Sequence, residues 1–154
     1  MSPNDTLRDI IVRKLTTMAS YLDELKKYLS EAAANELPTR VAQRLVERMA
    51  QLVIECAVDT NQLLLDLLGA PPAGSARESF AELQLRGVLD DYLARGFQQT
   101  YVGMRNRIIH DYERLDSRIV FHTSRRLLDD GEAYINTVFS WLEKRPSPRM
   151  SESN

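Results

Sequence analysis

An all-α fold, an up-and-down bundle of four long helices and one short one, is what this sequence predicts. Apolar residues recur at spacings of three and four along most of the chain, and no stretch alternates as a convincing strand would. The clearest break is the loop Ala70-Pro71-Pro72-Ala73-Gly74-Ser75. The first helix is expected from about Thr6 to Ala34, capped by Asn4 or Asp5. Its apolar stripe holds Leu7, Ile10, Ile11, Leu15, Met18, Tyr21, Leu22, Leu25 and Leu29. The second starts near Pro38, a residue suited to a first turn, and runs to Leu68 with Gly69 as its stop. Ser75-Ala76-Arg77-Glu78 reads as a capping box for a short third helix ending near Gly87. The fourth helix begins after Asp90 and is expected to continue to about Arg114. Ser117 is the expected cap of a fifth, reaching Lys144.

The chain of 154 residues fits one domain, expected over residues 1–145, with a disordered tail at 146–154 rich in proline and serine. The single cysteine, Cys56, excludes an internal disulfide and suits a reducing compartment. Met1 to Asp9 holds no basic segment followed by an apolar run, so no secretory signal is expected. No stretch approaches the roughly 18 apolar residues of a membrane span. A soluble, cytoplasmic protein is therefore expected.

A net charge of −2 argues against a general nucleic-acid coat, but a local site remains open. Six arginines (105, 107, 114, 118, 125 and 126) lie between Arg105 and Arg126, against three acids. Arginine forks phosphate oxygens where lysine offers a point charge, although such a run also serves as an ordinary solvated face.

The fourth helix carries the unusual chemistry. At about 100° per residue, Tyr101, Met104, Ile108, Tyr112 and Leu115 share one side, while Gln99, Gly103, Asn106 and His110 form an opposite stripe. Gly103 removes a side chain midway along that stripe, so another backbone or a substrate can approach closely. Arg105 falls inside the apolar arc, where a desolvated charge needs a partner or a ligand. Asp59 interrupts the stripe Val41, Leu45, Leu52, Cys56 and Leu63 of the second helix. It is the candidate partner, either in a purely structural pair or in support of a site. Arg105 and His110 lie about 140° apart on an ideal helix. Their convergence requires a wrapped guanidinium stem, a bent helix, or two copies of the helix meeting across a two-fold axis.

The run Met104-Arg105-Asn106-Arg107-Ile108-Ile109-His110-Asp111-Tyr112 resembles the R-x4-H-x-Y signature of HepT-type toxins within the HEPN superfamily. Ser79 to Leu83 and Glu55 to Asp59 also look like this family, and the resemblance covers roughly Leu7 to Glu143. It implies a HEPN-like bundle, a homodimer whose motif helices line a cleft, and metal-independent cleavage of RNA. It also implies a toxin–antitoxin pairing of type II/VII-like kind. In that pairing an MntA-like nucleotidyltransferase antitoxin transfers AMP from ATP to the motif tyrosine, here Tyr112. Arg105 and His110 are then the catalytic residues, with Asn106, Tyr112 and Asp59 in support and no cofactor or metal.

The residue types suit that chemistry. An imidazole at His110 can take the proton of a ribose 2′-hydroxyl or protonate the leaving oxygen. Arg105 can stabilise charge building on phosphorus. Asn106, one turn from His110, can orient the imidazole or the phosphate. AMP on Tyr112 adds negative charge that repels RNA. His122 reads as structural and Cys56 as a small core residue. The alternative reading is a non-catalytic HEPN module that binds a partner nucleotidyltransferase. A purely structural helical dimer is a third.

Overall fold

The computed structural model describes residues 2–110 and 115–145. The described chain is helical with no strand, and runs α1 (Pro3–Ala33), α2 (Thr39–Leu67), α3 (Ala76–Leu85), α4 (Asp91–Gly96), a π turn (Phe97–Tyr101), α5 (Val102–His110) and α6 (Ser117–Lys144). The π turn joins α4 to α5, so the expected architecture of four long helical runs and one short helix stands.

Local chemistry explains the ends. α1 starts earlier than expected because Ser2, not Asn4 or Asp5, is its cap. The Ser2 hydroxyl accepts from the Asp5 amide at 3.1 Å, and the Ser2 amide donates to the Asp5 carboxylate at 3.2 Å. Pro3 fits inside that first turn because its missing N–H leaves no donor to satisfy. α2 begins one residue after Pro38, and Gly69 leaves it with φ +71°, a conformation that favours glycine. Ser75 caps α3 through the Glu78 amide at 3.1 Å, but the Glu78 carboxylate reaches back to the Gly74 amide at 3.0 Å, one residue beyond a capping box. At α6 the cap is Asp116, whose carboxylate accepts from the Arg118 amide at 2.9 Å; Ser117 is the first helical residue.

α1 lies along α2, and α6 packs against both. The buried stripe of α1 is Ile11, Leu15, Met18, Leu22, Leu25 and Leu29, spaced alternately by four and three. α2 buries Ala42, Val46, Ala50, Val53, Ile54, Ala57, Leu64 and Leu65. The expected stripe therefore sits on its flank: Cys56 is buried, but Leu45, Leu52 and Leu63 are half-buried and Val41 is exposed.

Four aromatic rings lock α3, the π turn and α6 together. Phe97 stacks on Phe80 at 4.8 Å and meets Tyr101 at 5.0 Å and Tyr134 at 5.5 Å, all four being fully buried. A chain of buried polar groups runs beside them. The Tyr134 hydroxyl donates to Asn61 Oδ1 at 2.5 Å, Asn61 Nδ2 donates to Ser79 Oγ at 2.9 Å, and Ser79 Oγ donates to the Ala76 carbonyl at 2.6 Å. Such a network ties α6, α2 and α3 in one register, because any slip leaves a buried polar group unpaired. No helix among the described residues is long and apolar enough to cross a membrane.

Candidate active site

The fourth helical run is not the uninterrupted helix that its periodicity suggests. The π turn takes up an extra residue, and such turns often occur at functional sites. Phe97 and Tyr101 both point into the core from it, and the Tyr101 hydroxyl donates to the Asp130 carboxylate of α6. Burial, and then that hydrogen bond, push the Tyr101 phenol far above its ordinary range, so it remains a donor. The outer side of the turn is held by α3. Arg77 Nε donates to the Gln98 carbonyl at 3.0 Å, and Gln98 Nε2 returns a bond to the Arg77 carbonyl at 3.1 Å.

α5 starts from this anchored turn and carries Arg105, Asn106 and His110. Val102 and Met104 are buried, whereas Arg105 is half-buried rather than enclosed in the apolar arc. Its Nε and Nη2 both donate to Asn106 Oδ1, at 3.1 Å and 2.8 Å. No carboxylate pairs with Arg105 among the described residues. Among the described residues its charge is oriented only by a neutral amide, which leaves it open to an anion. The same two bonds hold the Asn106 amide by its oxygen.

The structure brings Arg105 and Asn106 into contact and leaves His110 exposed in the last turn of α5. It does not bring Asp59 to them. Asp59 lies on the flank of α2 that faces α1, its side chain 57% exposed and paired with Lys14 Nζ at 3.2 Å. The expected Arg105–Asp59 pair is therefore absent, and Asp59 is removed from the supporting set. The reason is helical phase: the buried face of α2 runs through Ala57, Thr60 and Asn61, which turns residue 59 outward. An ion pair this exposed contributes little to stability. Tyr112 and the expected helix end at Arg114 lie outside the described residues, as does the tail at 146–154.

Gln99, Gly103 and Asn106 of the polar stripe line a groove of about 560 Å³ between α3, the π turn, α5 and the start of α6. Buried Met104 and Val120 give it an apolar floor, half-buried Leu115 and exposed Ile119 add apolar lining, and Arg77, Thr100, Arg107 and Thr123 add polar groups. Asp116, also at the groove, has its carboxyl held below the usual range. The main cause is the hydrogen bond from the Arg118 amide, and the Arg118 guanidinium lies 3.5 Å away. Arg77 and Thr123 escape a reading of the fourth helix alone because they come from other helices. The one local sign of them is the gap at Gly103. A Cβ there would lie 3.5 Å from Arg77 Nη2, an ordinary van der Waals contact, so the Arg77 guanidinium is the neighbour that this glycine faces. Burial pushes the Cys56 thiol up, which leaves it a poor nucleophile and agrees with its core role. His122 is exposed on α6. The described residues contain no cluster of three or more His, Cys, Asp or Glu side chains fit to hold a metal ion.

A half-buried arginine with no carboxylate partner among the described residues and a solvent-facing imidazole on one helix are residue types suited to anion stabilisation and acid–base chemistry. Comparisons with known proteins agree with that chemistry. The family model described as "Ribonuclease HepT-like" matches residues 18–138. The chain is 30% identical over 133 residues to the tRNA nuclease HepT of Aphanizomenon flos-aquae (strain 2012/KM1/D3), spanning 86% of this chain and 90% of that protein. It is 24% identical over 135 residues to the mRNA nuclease HepT of Shewanella oneidensis, spanning 86% and 98%. Among solved structures, the tri-AMPylated Shewanella oneidensis HEPN toxin in complex with MNT antitoxin superposes with a TM-score of 0.77. It shares 23% identity over 86% of this chain and 98% of that one, a likeness of fold. This chain belongs to the ribonuclease HepT-like family.

Proposed function

We propose that this protein is the toxin of a toxin–antitoxin pair: a cytoplasmic, metal-independent endoribonuclease of one domain, residues 1–145. It acts as a homodimer and is silenced when a partner nucleotidyltransferase adds AMP to Tyr112. The observation that carries the reading is the Arg105 guanidinium, held by Asn106 and left without a carboxylate among the described residues, on the same helix as the exposed His110. A half-buried arginine with no counter-charge is expensive unless an anion visits it, and a phosphodiester is such an anion.

In the reaction, His110 takes the proton of a ribose 2′-hydroxyl, whose oxygen attacks the adjacent phosphorus. The new O2′–P bond forms as the P–O5′ bond breaks, and the leaving oxygen takes a proton from solvent or from the second imidazole of the dimer. Arg105 neutralises the extra charge on the phosphoryl oxygens at the crowded transition state. The family membership of the chain, the nuclease names of its relatives and the AMP-bearing HEPN toxin of similar fold support this assignment. The wide angle between Arg105 and His110 supports a dimer, since two copies can supply one group each to one phosphate.

Purified wild type is expected to cleave RNA without added metal. His110→Ala and Arg105→Ala should each lower the rate by about 10²-fold or more while keeping the helical signal in circular dichroism. A well-folded His110→Ala protein that cleaved at the wild-type rate would remove the nuclease assignment. Tight binding of the nucleotidyltransferase by a wild type that cleaves nothing would favour the non-catalytic module.

A further inference from the structure

The groove beside Arg105 has features that the cleavage step does not use. Its volume, about 560 Å³, lies within the roughly 300–1,000 Å³ range of sites that take small organic ligands. It is amphipathic: buried Met104 and Val120 give an apolar floor, Leu115 and the exposed Ile119 add apolar lining, and Gln99, Thr123 and Arg77 are the polar lining. A nucleotide has the matching halves, a flat base with an apolar face and polar edges, and an anionic phosphate.

Arg77 is built for the anionic half. Its Nε is spent on the Gln98 carbonyl, and the returning bond from Gln98 fixes the backbone from which it projects. Its Nη2 lies beside Gly103, 3.5 Å from where a Cβ would stand, on the exposed rim of the groove. No carboxylate pairs with it among the described residues; Asp116, the acid at the groove, is engaged by Arg118. An arginine held this way keeps its outer N–H groups free for an oxygen pair. Gly103 precedes Arg105 by two residues, about 3 Å along the helix axis. Asn106 both clamps Arg105 and forms part of the groove wall, so the two features are contiguous.

We infer that this groove is a subsite for single-stranded RNA that seats the nucleotide next to the cleaved bond. Its base lies on the floor between α5 and α6, and its phosphate is on Arg77. The inference rests on the nuclease assignment for its substrate class. Arg77 is a binding residue here and takes no part in proton transfer.

The test separates binding from cleavage. In the His110→Ala background, affinity for a short mixed-sequence single-stranded RNA is measured by fluorescence anisotropy over a range of salt. Adding Arg77→Gln should weaken binding about tenfold and make the log–log salt slope shallower by about 0.7, the loss of one phosphate contact. Arg77→Lys should recover the slope and part of the affinity. Thr123→Trp, which fills the groove from α6 and leaves the Arg77–Gln98 bonds alone, should weaken binding with the slope unchanged. These last two variants also decide the matter if Arg77→Gln melts early. In the His110 protein, the same Arg77→Gln change should raise KM and spare kcat. Wild-type affinity and slope in Arg77→Gln would overturn the subsite, as would loss of nucleotidyltransferase binding with RNA affinity intact. Neither result bears on whether His110 cleaves RNA, which the cleavage assay alone decides.

Discussion

Tyr101→Phe is the sharpest perturbation of the frame that holds the site. The change removes one oxygen from a fully buried ring and leaves every aromatic contact with Phe97 in place. What it takes away is the donor to Asp130, a carboxylate only 8% exposed with no other hydrogen-bond donor among the described residues. A hydrogen bond to a charged group contributes about 1.5–3 kcal/mol, and the orphaned partner bears the loss as desolvation. Taking about 2 kcal/mol, and about 2–4 °C per kcal/mol for a chain of this length, the melting temperature should fall by roughly 4–8 °C. Asp130→Leu alone should also destabilise, because it strands the Tyr101 hydroxyl in the core, at about 1–3 kcal/mol. The double variant leaves neither group stranded, so its cost should be less than the sum of the single costs by about 1 kcal/mol or more. Urea denaturation at one fixed protein concentration measures all four proteins, which removes any shift from self-association. Strict additivity would refute the reasoning, since it would mean that the hydroxyl and the carboxylate do not depend on each other.

Stability should also respond to pH at both ends of the scale. The folded pKa values of Tyr101 and Tyr134 are raised above the ordinary phenol value of 10.0, so their contribution is whole below that pH and is lost as the unfolded chain ionises above it. Tyr101→Phe should therefore give a shallower alkaline decline in urea midpoints; an unchanged decline would count against the burial argument. Asp116 has a folded pKa below its ordinary 3.8, so its contribution holds above that value and disappears as pH falls through the folded pKa. Asp116→Asn, which keeps an N-cap oxygen, should remove this acid dependence and be visible in acid titrations followed by circular dichroism. For regulation, incubation with the partner nucleotidyltransferase and ATP should add AMP mass to wild type and none to Tyr112→Phe by intact mass spectrometry. Equal modification of the two would take Tyr112 out of the scheme.

Much of this molecule was legible in its residues because helices are written locally. The three-and-four spacing from Ile11 to Leu29, the stop at Gly69 and the oxygen of Ser75 before α3 act within one or two turns of the backbone. A reader of the chain sees all the participants at once. The run from Met104 to Tyr112 is equally local, and it pointed to the family that the comparisons establish. Small misreadings at Ser2 and Asp116 came from choosing among neighbouring polar residues, each able to cap, where only the dihedral angles decide.

The sequence by itself therefore determined the helical bundle, the catalytic candidates on one helix and the family. Tertiary structure alone decided the phase and the company of those residues. Nothing in Gly96 to Val102 announces a π turn, because the turn exists to bring Phe97 and Tyr101 onto Phe80, Tyr134 and Asp130, residues from two other helices. The turn sets where α5 begins, and Arg105 meets Asn106 rather than the Asp59 that an ideal wheel offered it. Arg77 joins the site from nearly thirty residues away because its exchange of hydrogen bonds with Gln98 holds α3 against the π turn. Periodicity records which side of a helix is apolar; which distant side chain fills a gap depends on how helices cross, and that is a property of the whole packed core.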